Sequence, residues 1–160
     1  MQKSGYRASS KPITNSKEFE KQLDAAVEQI VVTVQEAFVK IAGKTVSFVI
    51  NRPMSESWYD DSGNLRSSIG YVVARNDEVV KIGGFKQVLQ GSEGVLKGRE
   101  AALNLASQYP DTLVMIIVAG MDYADYVEAI ESKDVLASAK GYVERQFEAY
   151  ARKFNSKKRK

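Results

Sequence analysis

The chain has 160 residues, 44% of them apolar and 27% charged, with a net charge of +3. This suits one globular domain with a real core, and no apolar run approaches the length of a bilayer span. There is no cysteine and no histidine, which excludes disulfides, thiolate and Ser-His-Asp chemistry, and ordinary zinc sites.

Residues 1–14 are small and polar, with Lys3, Arg7 and Lys11 spaced through them. They read as a flexible arm, or one that orders on a partner, and carry no apolar block of the signal-peptide kind. A long helix is expected from Ser16 to Ala42. Phe19, Leu23, Val27, Ile30, Val34, Phe38 and Ile41 recur at three- and four-residue steps, which makes one apolar stripe. Gly43 is the expected stop. At about 1.5 Å per residue such a helix is about 40 Å long, more than a compact domain needs, so one end is free to pack on something else.

Thr45–Ile50 is β-branched and aromatic and reads as a short strand. Asn51–Asn64 reads as a loop with Pro53, Asp60 and Asp61, and it holds the only tryptophan, Trp58, beside Tyr59. Two readings stand for that pair: an exposed contact for a partner pocket, or a Trp58 folded back over the core. A strand is expected from Leu65, with Ile69, Tyr71 and Val73 on one face and Arg75 at its end. Asn76-Asp77 supplies a tight turn and Val79–Phe85 returns, making a hairpin. Gly83-Gly84 marks a bulge or a close backbone contact. After a connection from Gln87 to Gly94, a helix is expected over Val95–Tyr109. Gly94, Gly98 and Ala102 leave one side of it shallow enough for another backbone, and Pro110 stops it.

Leu113–Val118 is six apolar residues in a row. A run that short and branched is a strand, and with neither face polar it is placed at the centre of the sheet. Gly120 follows, a residue free to take a positive φ at a sharp turn. Tyr123–Glu128 forms an aromatic, acidic turn. A last helix is expected over Val135–Phe154, striped by Leu136, Ala139, Val143, Phe147, Tyr150 and Phe154.

The expected fold class is α+β: a mostly antiparallel sheet of about four strands, packed by the long N-terminal helix, with a middle helix and a C-terminal helix. The expected division is an arm at 1–14, one domain at 15–154 and a basic, disordered tail at 155–160. The charge is uneven. Arg152, Lys153, Lys157, Lys158, Arg159 and Lys160 hold six of the 23 basic residues, leaving 17 against 20 acidic ones. A body-wide nucleic-acid surface does not fit that balance, but Lys157, Lys158, Arg159 and Lys160 suit phosphate backbones. An alternative function is therefore a small nucleic-acid-binding module acting through its tail. Gly91–Gly98 is glycine-rich at a helix start, yet its order is wrong for a phosphate-binding loop. Asp122, Asp125 and Glu128 are spaced three apart. They form either a solvated acidic face or, as a third reading, the carboxylates of a metal-dependent nuclease.

Two segments carry a resemblance. They are Ser62-Gly63-Asn64-Leu65-Arg66-Ser67-Ser68-Ile69 and Ala119-Gly120-Met121-Asp122-Tyr123-Ala124-Asp125-Tyr126-Val127-Glu128. In this order, after a long helix, they resemble the small head–tail joining and tail-completion proteins, the neck or minor tail components, of long-tailed bacteriophages. The resemblance covers about residues 16–140. It departs at Ala129-Ile130-Glu131, where that family commonly has a glycine, and at Gly91–Tyr109, a longer helical insertion than expected. It implies a non-enzymatic virion protein of the neck or tail, made in the host cytoplasm and needing no cofactor or membrane. It also implies a homo-oligomeric ring, hexameric or dodecameric, bound to portal or connector and tail proteins around a channel that DNA crosses. Gly63, Leu65, Arg66, Ser68, Ile69, Gly120, Tyr123, Tyr126 and Glu128 would be its motif and assembly residues. Arg66 would pair with an acid such as Glu128, and Tyr123 and Tyr126 would wedge the turn against the long helix.

Overall fold

The computed structural model describes residues 16–53, 55, 57–130 and 134–157. The chain divides into two units, Met1–Val34 and Gln35–Lys160. Helix α1 spans Ser16–Ile50 and so contributes residues to both. In the first unit, Phe19, Leu23, Val27, Ile30 and Val34 form the expected stripe and remain 37% to 57% exposed.

The second unit mixes helices with a three-stranded antiparallel sheet. Its strands are β1 (Ile69–Arg75), β2 (Glu78–Gly84) and β3 (Leu113–Ala119), in the order β2-β1-β3. The other helices are α2 (Asn64–Ser67), α3 (Ser92–Ala106), α4 (Ala124–Ile130) and α5 (Ala137–Lys157). Alternation along β1 divides the core between the two faces of the sheet. Ile69, Tyr71 and Val73 pack with Ala42, Val46 and Val49 of α1 and with Val135 and Ala139. Val72 and Ala74 pack with Phe85, Val118 and the α3 residues Ala102 and Ala106. The β1–β2 turn is the expected Asn76-Asp77 pair, both at positive φ (51° and 66°), as a two-residue hairpin of that hand requires. Gly83 and Gly84 mark close contacts as expected: a Cβ on Gly83 would meet the Tyr71 ring at 2.6 Å, and one on Gly84 the Gly70 Cα at 2.5 Å. The bulge itself falls elsewhere, opposite Val73 and Ala74.

Four expectations are corrected. The fourth strand expected at Thr45–Ile50 is the last turns of α1, so the sheet has three strands among the described residues. Ala42, Val46 and Val49 come to the core at helical spacing, and their burial outweighs a β-branched preference worth less than about 1 kcal/mol per residue. Thr45 completes the turn by donating its hydroxyl to the Ile41 carbonyl at 2.8 Å. The helix passes through Gly43 and ends before Pro53, a residue it cannot accommodate. The segment from Leu65 first makes the single turn of α2 and enters the sheet only at Ile69. Finally, β3 lies at an edge and β1 at the centre. The faces of β3 are covered as its composition implies, since Met115 and Ile117 join one cluster and Val114 and Ile116 the other. An apolar run reports two covered faces; it carries no information about which strand edges are paired.

Two aromatic side chains of α5 pack against α1, while Phe154 near its far end stays 40% exposed. Phe147 meets Phe38 edge-on, with centroids 5.5 Å apart, and Tyr142 stacks on Phe48 at 4.5 Å. Gly141, just before Tyr142, has open space around it: a Cβ there would come no closer than 3.5 Å to the flexible tip of Arg145. Gly141→Ala is therefore expected to stabilise the protein by about 0.5–1 kcal/mol through helix propensity alone. A fall in the urea midpoint would show that the position has another role.

Candidate functional site

The two motif segments, some fifty residues apart, meet where β1 and β3 pair. The Gly120 amide donates to the Ser68 carbonyl at 3.2 Å, and the hydroxyl of Ser68 closes α2 on the Leu65 carbonyl at 2.8 Å. Leu65 and Ile69 are buried in the core beneath this junction. Asp60 caps α2, taking the Arg66 amide at 2.7 Å and the Leu65 amide at 3.4 Å. Gly63, at φ 76°, makes the turn before it. A Cβ there would meet the Val88 carbonyl oxygen at 2.0 Å, so the following loop rests directly on Gly63.

The glycines of Gly91–Gly98 and Gly120 serve packing. A Cβ on Gly94 would stand 2.0 Å from the Asn64 carbonyl, one on Gly98 2.4 Å from the Ser68 carbonyl, and one on Gly120 2.4 Å from the Gly98 Cα. The expected shallow side of the middle helix is this seam. Gly120 does not take a positive φ; among glycines that conformation is found at Gly63 and Gly84. Close approach of α3 is what requires a glycine at 120. The Gly94 amide, in the first turn of α3, is taken by the Asn64 side chain at 3.1 Å.

Arg66 does not pair with Glu128. Its guanidinium reaches the Ile50 carbonyl at 2.6 Å and the Ser57 hydroxyl at 2.9 Å, and lies 4.7 Å from the centre of the Trp58 ring. Helix α1 has no basic residue in its last turn, so Arg66 supplies from α2 the positive charge that the carbonyl end of a helix favours. Trp58 is fully buried, with Arg52 over the same ring at 5.7 Å. Of the two readings for the pair, Trp58 takes the core one, and Tyr59 stands outside with its hydroxyl on Asp61. Glu128 accepts the Ala137 amide at 2.8 Å and thereby caps α5. Tyr123 stands beside Asp60 and Ser62. Partial burial first, and then the Asp60 charge, push its hydroxyl above the ordinary value.

Arg52 and Asp134 tie the end of α1 to the start of α5. Arg52 donates to the Asp134 carboxylate at 2.7 Å and to the Asp134 and Val135 carbonyls at 2.6 and 3.0 Å. Partial burial works to raise the Asp134 carboxyl, but the Ser138 amide at 2.9 Å and the Arg52 charge outweigh it and hold it below 3.8. A depressed carboxyl contributes stability above its unfolded value, and that contribution is lost as pH falls through the lower folded one. Stability is thus expected to drop more steeply below about pH 4 in the parent chain than in Asp134→Asn. Urea midpoints followed down to about pH 2 check this; parallel acid limbs would contradict it.

Two of the three carboxylates read as a possible metal set have other tasks. Asp122 pairs with Lys97 at 3.3 Å, and Glu128 is the cap just described. Among the described residues no three acidic side chains are placed to hold a metal ion. No helix among them is long and apolar enough to cross a membrane. The Tyr126 and Lys157 side chains, and Lys158, Arg159 and Lys160, lie outside the described residues. Sequence reasoning missed Arg52, Asp134 and Asn64, whose roles depend on partners far along the chain. It also missed Leu89 and Leu96, which are exposed close to this junction; Leu89 holds a positive φ of 51°. Comparison with known protein families, with curated proteins and with solved structures finds no match to this chain.

Proposed function

We propose that this is a structural protein of a tailed-bacteriophage or prophage virion, joining the head connector to the tail as part of an oligomeric ring, hexameric or dodecameric. The observation that supports the reading is the meeting of the two motif segments through Gly120 and Ser68. Around that junction Tyr59, Leu89, Leu96 and Tyr123 are exposed on a rigid base of capped turns and glycine contacts. Exposed aromatic and aliphatic side chains on a stiff base are what a docking surface needs. The chain acts without catalysis in this reading: its charged side chains near the junction cap helices or pair with one another. The protein is made in the host cytoplasm, ends in the neck or tail of the virion, and contacts connector and tail proteins around a channel that DNA crosses.

The test is to combine the purified chain with the connector and tail proteins encoded beside it, and to image the products by negative stain. Rings that incorporate the chain are expected, and Tyr59→Ala combined with Leu89→Ala is expected to reduce their yield without unfolding the protein. A chain that joins no particle with any of these proteins is not a neck component.

A further inference from the structure

We propose that β3 pairs, antiparallel and about a twofold axis, with β3 of a second copy of this chain. Among the described residues no strand pairs with the outer edge of β3. The two edges of the sheet are built differently. The β2 edge carries Glu78, Lys81, two glycines and a register shift, devices that discourage a further strand. The β3 edge is Leu-Val-Met-Ile-Ile-Val-Ala, with no charge, no proline and an unbroken register against β1 from Ile69–Ala119 to Arg75–Leu113. Left open, seven such residues would template uncontrolled association. In composition β3 is a central strand, and a second copy of it would make it one.

The strand is also its own complement. An antiparallel pair centred on Ile116 sets Met115 opposite Ile117 of the second copy, and Val114 opposite Val118. Each pair lies on one face of the sheet, because the offsets are even. With no charge in the strand, the two paired strands themselves set no like charges opposite one another. Beside β3 runs a mostly apolar groove of about 410 Å³ lined by Met115, Ile117, Leu136, Ala139 and Val143, with Lys140 and Glu144 completing its wall. The twofold sets Met115 and Ile117 of each copy at the groove of the other. The product is one six-stranded sheet whose two remaining edges are the guarded β2 strands. Pairing with β2 of the second copy would instead put Glu78, Lys81 and the bulge against an uncharged edge. The inference rests on β3 and its groove and is independent of the neck reading.

The chain has no cysteine, so single-cysteine variants report the pairing directly. Paired Cα atoms about 4.5–5.5 Å apart suit a disulfide, whereas residues two places off the centre face copies of themselves across about 13 Å. Under mild oxidation Ile116→Cys is expected to give at least roughly tenfold more linked dimer than Val114→Cys. The unmodified chain is expected to sediment as a dimer at micromolar concentration. Its β3 amides are expected to exchange more slowly as concentration rises, a readout that no misfolded variant can obscure. A monomer by sedimentation, equal linking of the two cysteine variants, or linking of Ile116→Cys to Val80→Cys in a mixed sample would each overturn the proposal.

Discussion

Arg66→Ala is expected to lower stability by about 3 kcal/mol, a fall in melting temperature of about 6–12 °C for a chain of this length. The side chain makes two short hydrogen bonds and one ring contact at once. It meets the last carbonyl of α1 at 2.6 Å, it holds the Ser57 hydroxyl at 2.9 Å, and it lies against the buried Trp58 ring. Hydrogen bonds made by a charged donor contribute about 1.5–3 kcal/mol each, and removing the donor leaves part-buried acceptors without it. Arg66→Lys keeps the charge but not the fork, so one ammonium cannot serve both the Ile50 and Ser57 oxygens in the same plane. About half the loss is expected for lysine. Urea unfolding followed by fluorescence measures both, since Trp58 is the sole tryptophan and sits at the site. A change within about 0.5 kcal/mol for alanine, the range of ordinary surface substitutions, would show that Arg66 does not hold the end of α1.

Gly98→Ala is expected to cost about 3 kcal/mol or more, although alanine is the better helix former by about 1 kcal/mol. A Cβ at 98 would stand 2.4 Å from the Ser68 carbonyl oxygen and 2.8 Å from the Phe85 ring. Ser68 meets it with backbone and the Phe85 ring is itself buried, so no flexible side chain is left to give way. Helix α3 would have to move off the sheet, weakening the cluster it shares with Val72, Ala74 and Val118. Gly120→Ala should behave alike, because its Cβ would meet the Gly98 Cα at 2.4 Å. The contrast with Gly141→Ala, where the same change is expected to stabilise, separates packing from propensity in one protein. Equal urea midpoints for Gly98→Ala and the parent would refute the close seam.

The proposed docking surface depends on this seam and on Arg66 alike. Tyr123 and the exposed Leu96 stand on elements that Gly98 and Gly120 hold together, and Tyr59 on a loop that Asp60 and Arg66 anchor. Destabilising either support should therefore reduce ring incorporation together with stability, whereas Tyr59→Ala with Leu89→Ala should reduce incorporation alone.

Several features were legible in the residues alone, each for a local reason. The absence of histidine and cysteine narrowed the chemistry. Three- and four-residue spacing marked the three long helices but not the short α2 and α4, and Asn76-Asp77 marked the hairpin turn, because these depend on one residue and its near neighbours. The small residues at 94, 98 and 102 announced a close backbone contact without saying with what. Tertiary structure alone decided the rest. Thr45–Ile50 became helix because burial at helical spacing exceeded its β preference. Arg66 took the end of α1, which has no basic residue in its last turn, while Glu128 went to cap α5. β3 went to an edge because covering a strand's faces and pairing its edges are separate demands, and side-chain composition records only the first.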